Sequence, residues 1–465
     1  MNASQFQPVR TALARRRAPA LLGLSLALLA ATASAQAAAT PLSLQQVLAQ
    51  LPRSPQWQQS ELTLEKARRN LEAARARVGL TVGLSGGLSS STTFSDGSGS
   101  LTPTLGASAS ANVLPWSSAQ DSVRAAERSL RTAEAQNNAT RANLVLSAQQ
   151  QYFAARLASF DRSVAQRTLE LRQRQLAAAN AQRELGNASQ QTVLERTADF
   201  QEAQSTLAKA QQTLQQNTFA LANTLGVALT NVAFSTAPQD PGEPADLNAL
   251  IASALKNRSD VISAQQALAS AQSELEAARR NRALPALTAS VQYGQLGGNA
   301  SGTSLGGSLN FKTGAASATF NPGLGGSTSA ASLALSLSAS FNLIDPAAEA
   351  DIQSAQTNLQ AAEIALGLAR QGAELAVRQQ HAALRSARAP LEAVRSSVAA
   401  AQAALDAVNA RFAAGSATQT DVLAAEVNLL SAQRNYEQAL ETAQLALHAL
   451  QNAQGLIPSL REPQP

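Results

Sequence analysis

Residues 118–185 read SAQDSVRAAERSLRTAEAQNNATRANLVLSAQQQYFAARLASFDRSVAQRTLELRQRQLAAANAQREL, a segment without proline or glycine. A single α-helix over this segment would extend about 100 Å, because each helical residue adds about 1.5 Å along the axis. One globular core does not explain a helix this long, so it is predicted to pack along its length in a coiled coil or solenoid. Gly186 follows directly, and a glycine there is typical of a helix C-terminal cap.

The long segment belongs to one of two copies of a repeated unit. Four motifs occur twice in the same order: LEAAR at 71–75 and 275–279, SAS at 108–110 and 338–340, a glycine at 186 and 415, and L-x-N-x-x-G at 221–226 and 450–455. The last two motifs are equally spaced in both copies. Together the matches indicate an internal duplication.

Each copy is predicted to contain a helix, a pair of strands, a long helix and a return helix. Repeat one is predicted over 36–237, with a strand pair at about 80–114, a long helix at about 118–185 and a return helix at about 189–225. Repeat two is predicted over 245–457, with a strand pair at about 284–344, a long helix at about 347–413 and a return helix at about 418–454. A Pro-containing linker covers 238–244, and 458–465 form a tail. The strands are inferred from period-two alternation such as Leu80, Val82 and Leu84.

The second copy is longer than the first between residues 280 and 338. This stretch is rich in glycine and serine, which fits either a loop or an added hairpin. Residues 297–327 are expected at the external loop of the second strand pair.

The N-terminus has the features of an export signal, predicted over residues 1–35. Basic residues at Arg10 and 15–17 precede the apolar stretch 21–31, and Ala33-Ser34-Ala35 matches a cleavage site. The alternative is a short N-terminal anchor helix. Without the signal arginines, basic and acidic residues are nearly equal in number, so the charge does not suggest a nucleic-acid partner.

The composition excludes several classes of site. The chain has no cysteine, which excludes disulfides and thiolate metal sites. Its two histidines, His381 and His448, have no second histidine at helical spacing, and a packing or surface role is favoured for both. No catalytic triad, Walker loop or dinucleotide motif is present. We therefore predict no catalytic residue, no cofactor and no metal, and the chain is not expected to be an enzyme.

Four amphipathic strands per chain are too few to close a membrane barrel, which needs about eight or more. An exported chain with this pattern must therefore share a barrel with other copies or keep its strands outside the membrane. Three chains would supply twelve strands, enough for a water-filled lumen.

With these features the chain resembles the TolC-like outer-membrane efflux proteins over about residues 40–457. The resemblance rests on LSLQQVL at 42–48 and LNALI at 247–251, Ala278-Arg279 with Leu284-Pro285, Arg411-x-x-x-Gly415 with Asp421-Val422-Leu423, and the final L-x-N-x-x-G. It implies a mainly α fold with a β-barrel part, in which a homotrimer forms a twelve-strand barrel on a twelve-helix periplasmic tunnel. The implied partners are outer-membrane lipid, a periplasmic adaptor and an inner-membrane pump.

The resemblance also implies where function is concentrated. The two helix-turn-helix tips meet the adaptor and close the tunnel, which points to Gly186, Asn187, Ala188, Arg411, Gly415, Ser416 and Ala417. Asp421 is a candidate pore-gate carboxylate, and the alternative is an acid in the first turn of a helix. The sequence departs from the family pattern, since copy one has Gln182 where copy two has Arg411, and Ala417 and Ala424 stand where some members have charged residues.

Three functions remain open at this stage. The first is a passive exit duct of a tripartite efflux or type I secretion system. The second is a periplasmic coiled-coil adaptor, although an adaptor is expected to have one hairpin flanked by compact β modules. The third is a structural envelope protein, which would need no barrel-like strands. The substrate does not follow from the sequence.

Overall fold

A computed structural model describes residues 40–92, 99–294, 303–323 and 330–458, and these residues are mainly helical. The predicted signal segment 1–35 lies outside the described residues. The helices are α1 Leu44–Gln50, α2 Pro55–Ala76, α3 Ser118–Glu184, α4 Gln190–Leu225, α5 Leu247–Asn257, α6 Ser259–Ala283, α7 Pro346–Arg388, α8 Leu391–Ala413 and α9 Gln419–Ala453, with a 3-10 turn at Leu51–Arg53. None of the helices in these ranges has the length and hydropathy required to cross a membrane.

The strands form two sheets. They are β1 Thr40–Leu42, β2 Thr81–Thr92, β3 Gly99–Asn112, β4 Val232–Phe234, β5 Ala286–Gly294, β6 Ser304–Asn310, β7 Ala315–Asn321 and β8 Ser332–Ser340. β1 and β4 make a short parallel pair. The other strands form one antiparallel sheet in the order β2-β3-β7-β6-β5-β8.

Helix α3 is continuous over 67 residues, a length of about 100 Å. Its N-terminus is capped by Ser117, whose hydroxyl accepts the backbone N–H of Gln120. No proline or glycine interrupts the backbone hydrogen bonds, so the helix runs until Gly186 adopts a positive φ of 79°. The Ala-rich composition lets α4 and α9 pack closely along it.

The prediction of one long helix over 347–413 is wrong. The structure has two helices in this region, and α7 ends at Arg388 while α8 begins at Leu391. Pro390 lies between them and serves as the N-cap of α8. Proline has no amide hydrogen and its ring clashes with the preceding turn, so the helical hydrogen bonding stops there. The first copy has no proline in α3 and is not interrupted.

Four strands lie in the region 284–344, where the sequence predicts a strand pair with extra length that is either a loop or an added hairpin; the structure has the hairpin. β6 and β7 form an added hairpin, with its turn at 311–314, that is inserted between β3 and β5. The prediction of an external loop over 297–327 is wrong for residues 304–310 and 315–321, which are paired in the sheet, while 297–302 and 324–327 lie outside the described residues. The described part of the chain therefore has six strands in this sheet instead of four, and the count of twelve for three chains does not follow.

The best-buried core of the first copy lies around Tyr152, which is 0% exposed. Its hydroxyl donates to the backbone oxygen of Leu42 at 2.8 Å and accepts the backbone N–H of Thr236 at 2.9 Å. Its ring stands edge-on to Phe234, with the ring centroids 5.3 Å apart. Tyr152 thus ties both strands of the parallel pair to α3.

Helices α3 and α9 share a partly buried group of charged residues. Arg156 pairs with Glu437, and Nε of Arg434 lies 2.7 Å from Oδ1 of Asp161. Glu441 lies beside these pairs on α9, and burial raises the pKa of its carboxyl to about 7 despite the two arginines. In the folded protein the carboxyl of Glu441 is therefore mostly protonated below about pH 7.

We expect Glu441→Gln to stabilise the protein by about 1 to 2 kcal/mol at pH 8, since it removes a carboxylate that is costly to ionise in this partly exposed site. The folded pKa of about 7 lies above the ordinary value of 4.5, so the folded state binds more protons between these pH values. The free energy of unfolding that the Glu441 carboxyl contributes is therefore greatest at low pH, and it decreases as pH rises through the folded pKa of about 7. Urea unfolding from pH 5 to 8 measures the effect.

Glu437→Gln is the control, because it breaks the ion pair with Arg156 and should destabilise the protein at both ends of the pH range. Equal unfolding midpoints for the native protein and Glu441→Gln at pH 8 would contradict the raised pKa.

Candidate functional site

The turn between α3 and α4, residues 185–189, is named tip one. Its left-handed residue is Gly186, whose amide donates to the oxygen of Arg183 at 2.9 Å, while the amide of Asn187 donates to the oxygen of Gln182 at 2.8 Å. These two bonds make a Schellman motif, which satisfies carbonyls at the helix end that would otherwise lack a partner. Ser189 then caps α4 by accepting the amide of Thr192.

The turn between α8 and α9, residues 414–418, is named tip two and repeats this geometry. Gly415 has φ of 74°, and its amide donates to the oxygen of Phe412 at 2.9 Å. The amide of Ser416 donates to the oxygen of Arg411 at 2.8 Å, and the Ser416 hydroxyl donates to the same oxygen at 3.1 Å. The two copies therefore end in the same turn.

Steric crowding does not explain why both tips have a glycine, because a Cβ added at Gly186 or Gly415 would meet no atom within 4 Å. Their positive φ is the requirement that selects glycine. The residues at equivalent positions after them, Ala188 and Ala417, are half-buried. Both tips thus present backbone and small side chains to solvent.

Both tips also expose large apolar side chains, which the sequence analysis did not single out. Leu185 and Leu194 in and near tip one are 76% and 58% exposed, and Phe412 before tip two is 47% exposed. The sequence signal that identifies such residues is an apolar side chain close to a predicted cap glycine in an otherwise polar segment. Exposed apolar side chains on a turn favour contact with another protein.

Asp421 forms a reciprocal capping box with Thr418. The Thr418 amide and hydroxyl each donate to Oδ2 of Asp421 at 2.8 Å, and the Asp421 amide donates to Oγ1 of Thr418 at 3.2 Å. The hydrogen bond from the backbone N–H of Thr418 to the carboxylate is the main cause of the lowered pKa of Asp421, and the positive charge of Arg411 contributes. Asp421 is exposed and ionised, so it has a helix-start role, and its pore-gate role stays a prediction.

The two histidines lie on different helices, His381 on α7 and His448 on α9. His448 is 4% exposed, and burial lowers its pKa to about 4, so it is a neutral packing residue on α9. Across the described ranges, no three His, Cys, Asp or Glu side chains cluster closely enough to hold a metal ion.

A second surface lies on α7 and is named the α7 stripe. It consists of Ile364, Leu368 and Leu375, which are 65%, 63% and 56% exposed. Their spacing of four and seven residues places them on one side of the helix. Phe219 on α4 and Leu62 on α2 are exposed to a similar degree. Apolar positions repeated along long helices favour packing against further helices.

The family model described as outer membrane efflux protein matches residues 44–227 and 250–456, which correspond closely to the two copies. Comparison with curated proteins finds no match.

Solved structures share the fold over nearly the whole chain. The channel protein CusC has a TM-score of 0.67 and 18% identity, covering 90% of this chain and 93% of that chain. The MtrE outer membrane channel of Neisseria gonorrhoeae has a TM-score of 0.64 and 21% identity, covering 89% of each chain. The outer membrane protein VceC of Vibrio cholerae has a TM-score of 0.64 and 18% identity, covering 89% of this chain and 96% of that chain.

The duplicated unit, the paired long helices with matching tips and the antiparallel sheet together agree with these comparisons. Because the family model covers most of both copies, the chain belongs to the outer membrane efflux protein family.

Proposed function

We propose that this chain is the outer-membrane subunit of a tripartite efflux or type I secretion system, and that it serves as a passive exit duct from the periplasm. The observation that carries the proposal is the pairing of two long helical hairpins, both ending in the same exposed turn, with an uncharged antiparallel sheet. The hairpins suit a periplasmic tunnel, and the sheet suits a barrel wall. A cleaved signal over 1–35 would export the chain.

The working unit is a homotrimer. Two features of the single chain support this, namely the exposed α7 stripe and a sheet whose edge strands β2 and β8 have no further strand among the described residues. Helices of neighbouring copies would cover the stripe. Strands of neighbouring copies would complete the sheet, because lipid does not tolerate an open edge.

The partners follow from the two ends of the duct. The periplasmic adaptor docks at the tips, through the turns at 186–188 and 415–417 together with Arg411, and it links the duct to the inner-membrane pump. The exposed Leu185 and Phe412 supply apolar contacts to the adaptor. Outer-membrane lipid contacts the apolar face of the sheet. Asp421, ionised and exposed beside tip two, is proposed as the gate carboxylate.

We expect Leu368→Asp to reduce the trimer in purified preparations, because it places a charge in the α7 stripe. Native mass measurement in detergent should give three chains for the native protein and lighter species for the variant. Arg370→Ala, at an exposed position of the same helix away from the stripe, should leave the trimer mass unchanged. A native protein that is a stable monomer would refute the trimer.

We expect Gly415→Val to abolish transport while the trimer survives. A β-branched residue at a φ of 74° costs on the order of 1 kcal/mol or more, and this strain stays at the tip. The measurement is drug or dye export in cells with matched protein levels. Gly367→Ala is the control, since that glycine lies within α7 with open space around it and alanine favours the helix. Unchanged export with Gly415→Val would remove tip two from the docking site.

We expect Asp421→Asn to reduce cation preference in single-channel recordings, because three copies near the tunnel axis would form an acidic ring. Thr418→Ala removes the hydroxyl of the capping box and keeps the charge, so it separates helix capping from ion selection. Cation preference should persist in Thr418→Ala. If both variants behave like the native channel, Asp421 acts only as a helix-start residue.

A further inference from the structure

The added hairpin β6–β7 is part of the sheet. β7 pairs with β3 from Phe320 opposite Ala107 to Ala315 opposite Asn112. On its other side, β6 pairs with β5 over the whole length of β6, ending with Ser304 opposite Gly294. The hairpin therefore separates the strands of the first copy from those of the second.

The turn of this hairpin is anchored at the start of α3. The oxygen of Gly314 accepts the amide of Val113 at 2.9 Å, and the indole N–H of Trp116 donates to the oxygen of Phe311 at 2.9 Å. The amide of Phe311 donates to the oxygen of Leu287 at 2.9 Å. The turn is thus bonded to both copies at the base of the sheet.

Gly314 is the residue that permits this close approach. Its φ is 71°, and an added Cβ would lie 2.9 Å from the Cβ atoms of Leu114 and Ser117. Any other residue would meet both a strained backbone and a clash, so the turn fits its position closely.

The two faces of the sheet continue through the hairpin without a break. One row across all strands is apolar, running Leu84, Ala107, Phe320, Leu305, Tyr293, Leu333. A row on the opposite face carries only hydroxyls, running Thr81, Ser110, Ser317, Ser308, Ser290, Ser336. Alternation of an apolar and a polar face is typical of a barrel wall between lipid and water.

Two neighbouring pairs in the hydroxyl row are joined by hydrogen bonds between strands. Oγ atoms of Ser308 and Ser317 are 2.8 Å apart, and those of Ser290 and Ser336 are 2.6 Å apart. The six strands contain no Asp, Glu, Lys or Arg. The polar face of this wall is therefore neutral.

We propose that every chain contributes six strands, so that the homotrimer of the proposed function, on which this inference rests, closes an eighteen-strand barrel. The occupant of each free edge is a second copy, with β2 of one chain beside β8 of the next. These strands are the first and last of an even-numbered antiparallel order, so they run in opposite directions and pair antiparallel. Closure removes the open edges that lipid does not tolerate.

The consequence concerns the substrate class. Barrel diameter grows about linearly with strand number, so this lumen is about one and a half times as wide as a twelve-strand one. Its strand wall offers hydroxyl, amide and glycine groups and no charge. The barrel is therefore an exit for bulky solutes that does not select between cations and anions.

Disulfide cross-linking tests the strand order, and the chain is suited to it because it has no cysteine. Ser108 and Thr319 are direct partners on β3 and β7. We expect Ser108→Cys with Thr319→Cys to cross-link within one chain of the purified trimer. Ser108→Cys with Gln292→Cys is the matched control, since it spans three strand spacings, about 14 Å, which is too far for a disulfide.

If the hairpin is excluded from the wall, the control pair Ser108→Cys with Gln292→Cys should cross-link instead. Without β6 and β7 between them, β3 and β5 would be neighbours. The inference would be overturned if the trimer cross-links in the variant with Ser108→Cys and Gln292→Cys but not in the variant with Ser108→Cys and Thr319→Cys. This outcome would leave the proposed efflux duct intact. A cross-link between two chains at Ser108→Cys with Thr319→Cys would also overturn it. Absence of any trimeric channel would instead refute the proposed function.

Thiol labelling supplies an independent measurement on β6. In outer membranes, Ser308→Cys should react with a charged, membrane-impermeant maleimide at least about tenfold faster than Leu305→Cys, because the first faces water and the second faces lipid. Equal, rapid labelling of both positions would place the hairpin outside the wall as an exposed loop and would overturn the inference.

Discussion

Backbone hydrogen bonding is the constraint on which the rest of this structure depends. Each amide and carbonyl needs a partner, and a helix provides its own partners whereas a strand requires a neighbour. The helices can therefore extend far from any globular core, and only their ends need special residues such as Gly186 and Gly415. The sheet has the opposite property, since its edge strands β2 and β8 have no further strand beside them among the described residues. The proposed assembly therefore satisfies the backbone groups at the sheet edges, whereas the helices already satisfy their own.

The duplication sets the common plan, and departures from it show where the copies have diverged. Both tips use the same pair of capping bonds, so this geometry is shared by the copies. Between the tips and the sheet, the copies differ in helix continuity, because Pro390 interrupts the second but nothing interrupts α3. They differ again in the sheet, where the second copy has an extra hairpin held by Trp116 of the first. The two copies therefore form one interlocked unit.

The sequence was informative wherever a local signal was strong. The absence of helix breakers defined α3, and the glycines after it and after α8 marked both tips. Pro390 was an equally strong signal that the long-helix prediction overlooked. The hairpin was harder, because β6 and β7 have few large apolar residues, mainly Leu305, Leu309 and Phe320, and glycine or alanine fills the remaining apolar-face positions. The exposed tip residues depend on which helix faces meet, and this follows only from tertiary packing.

The distribution of charge separates the two ends of the duct. The strands are uncharged, whereas the helices contain nearly all of the charged residues, many of them in pairs such as Arg378 with Glu374. A wide neutral wall gives little energetic discrimination between solutes, because selection requires charge or close fit. Asp421 and Arg411 beside tip two are charged, and the proposed trimer would bring copies of each together at a narrow passage. Selection by charge and by size is thus proposed for the narrow tip end, whereas the uncharged strands discriminate little between solutes.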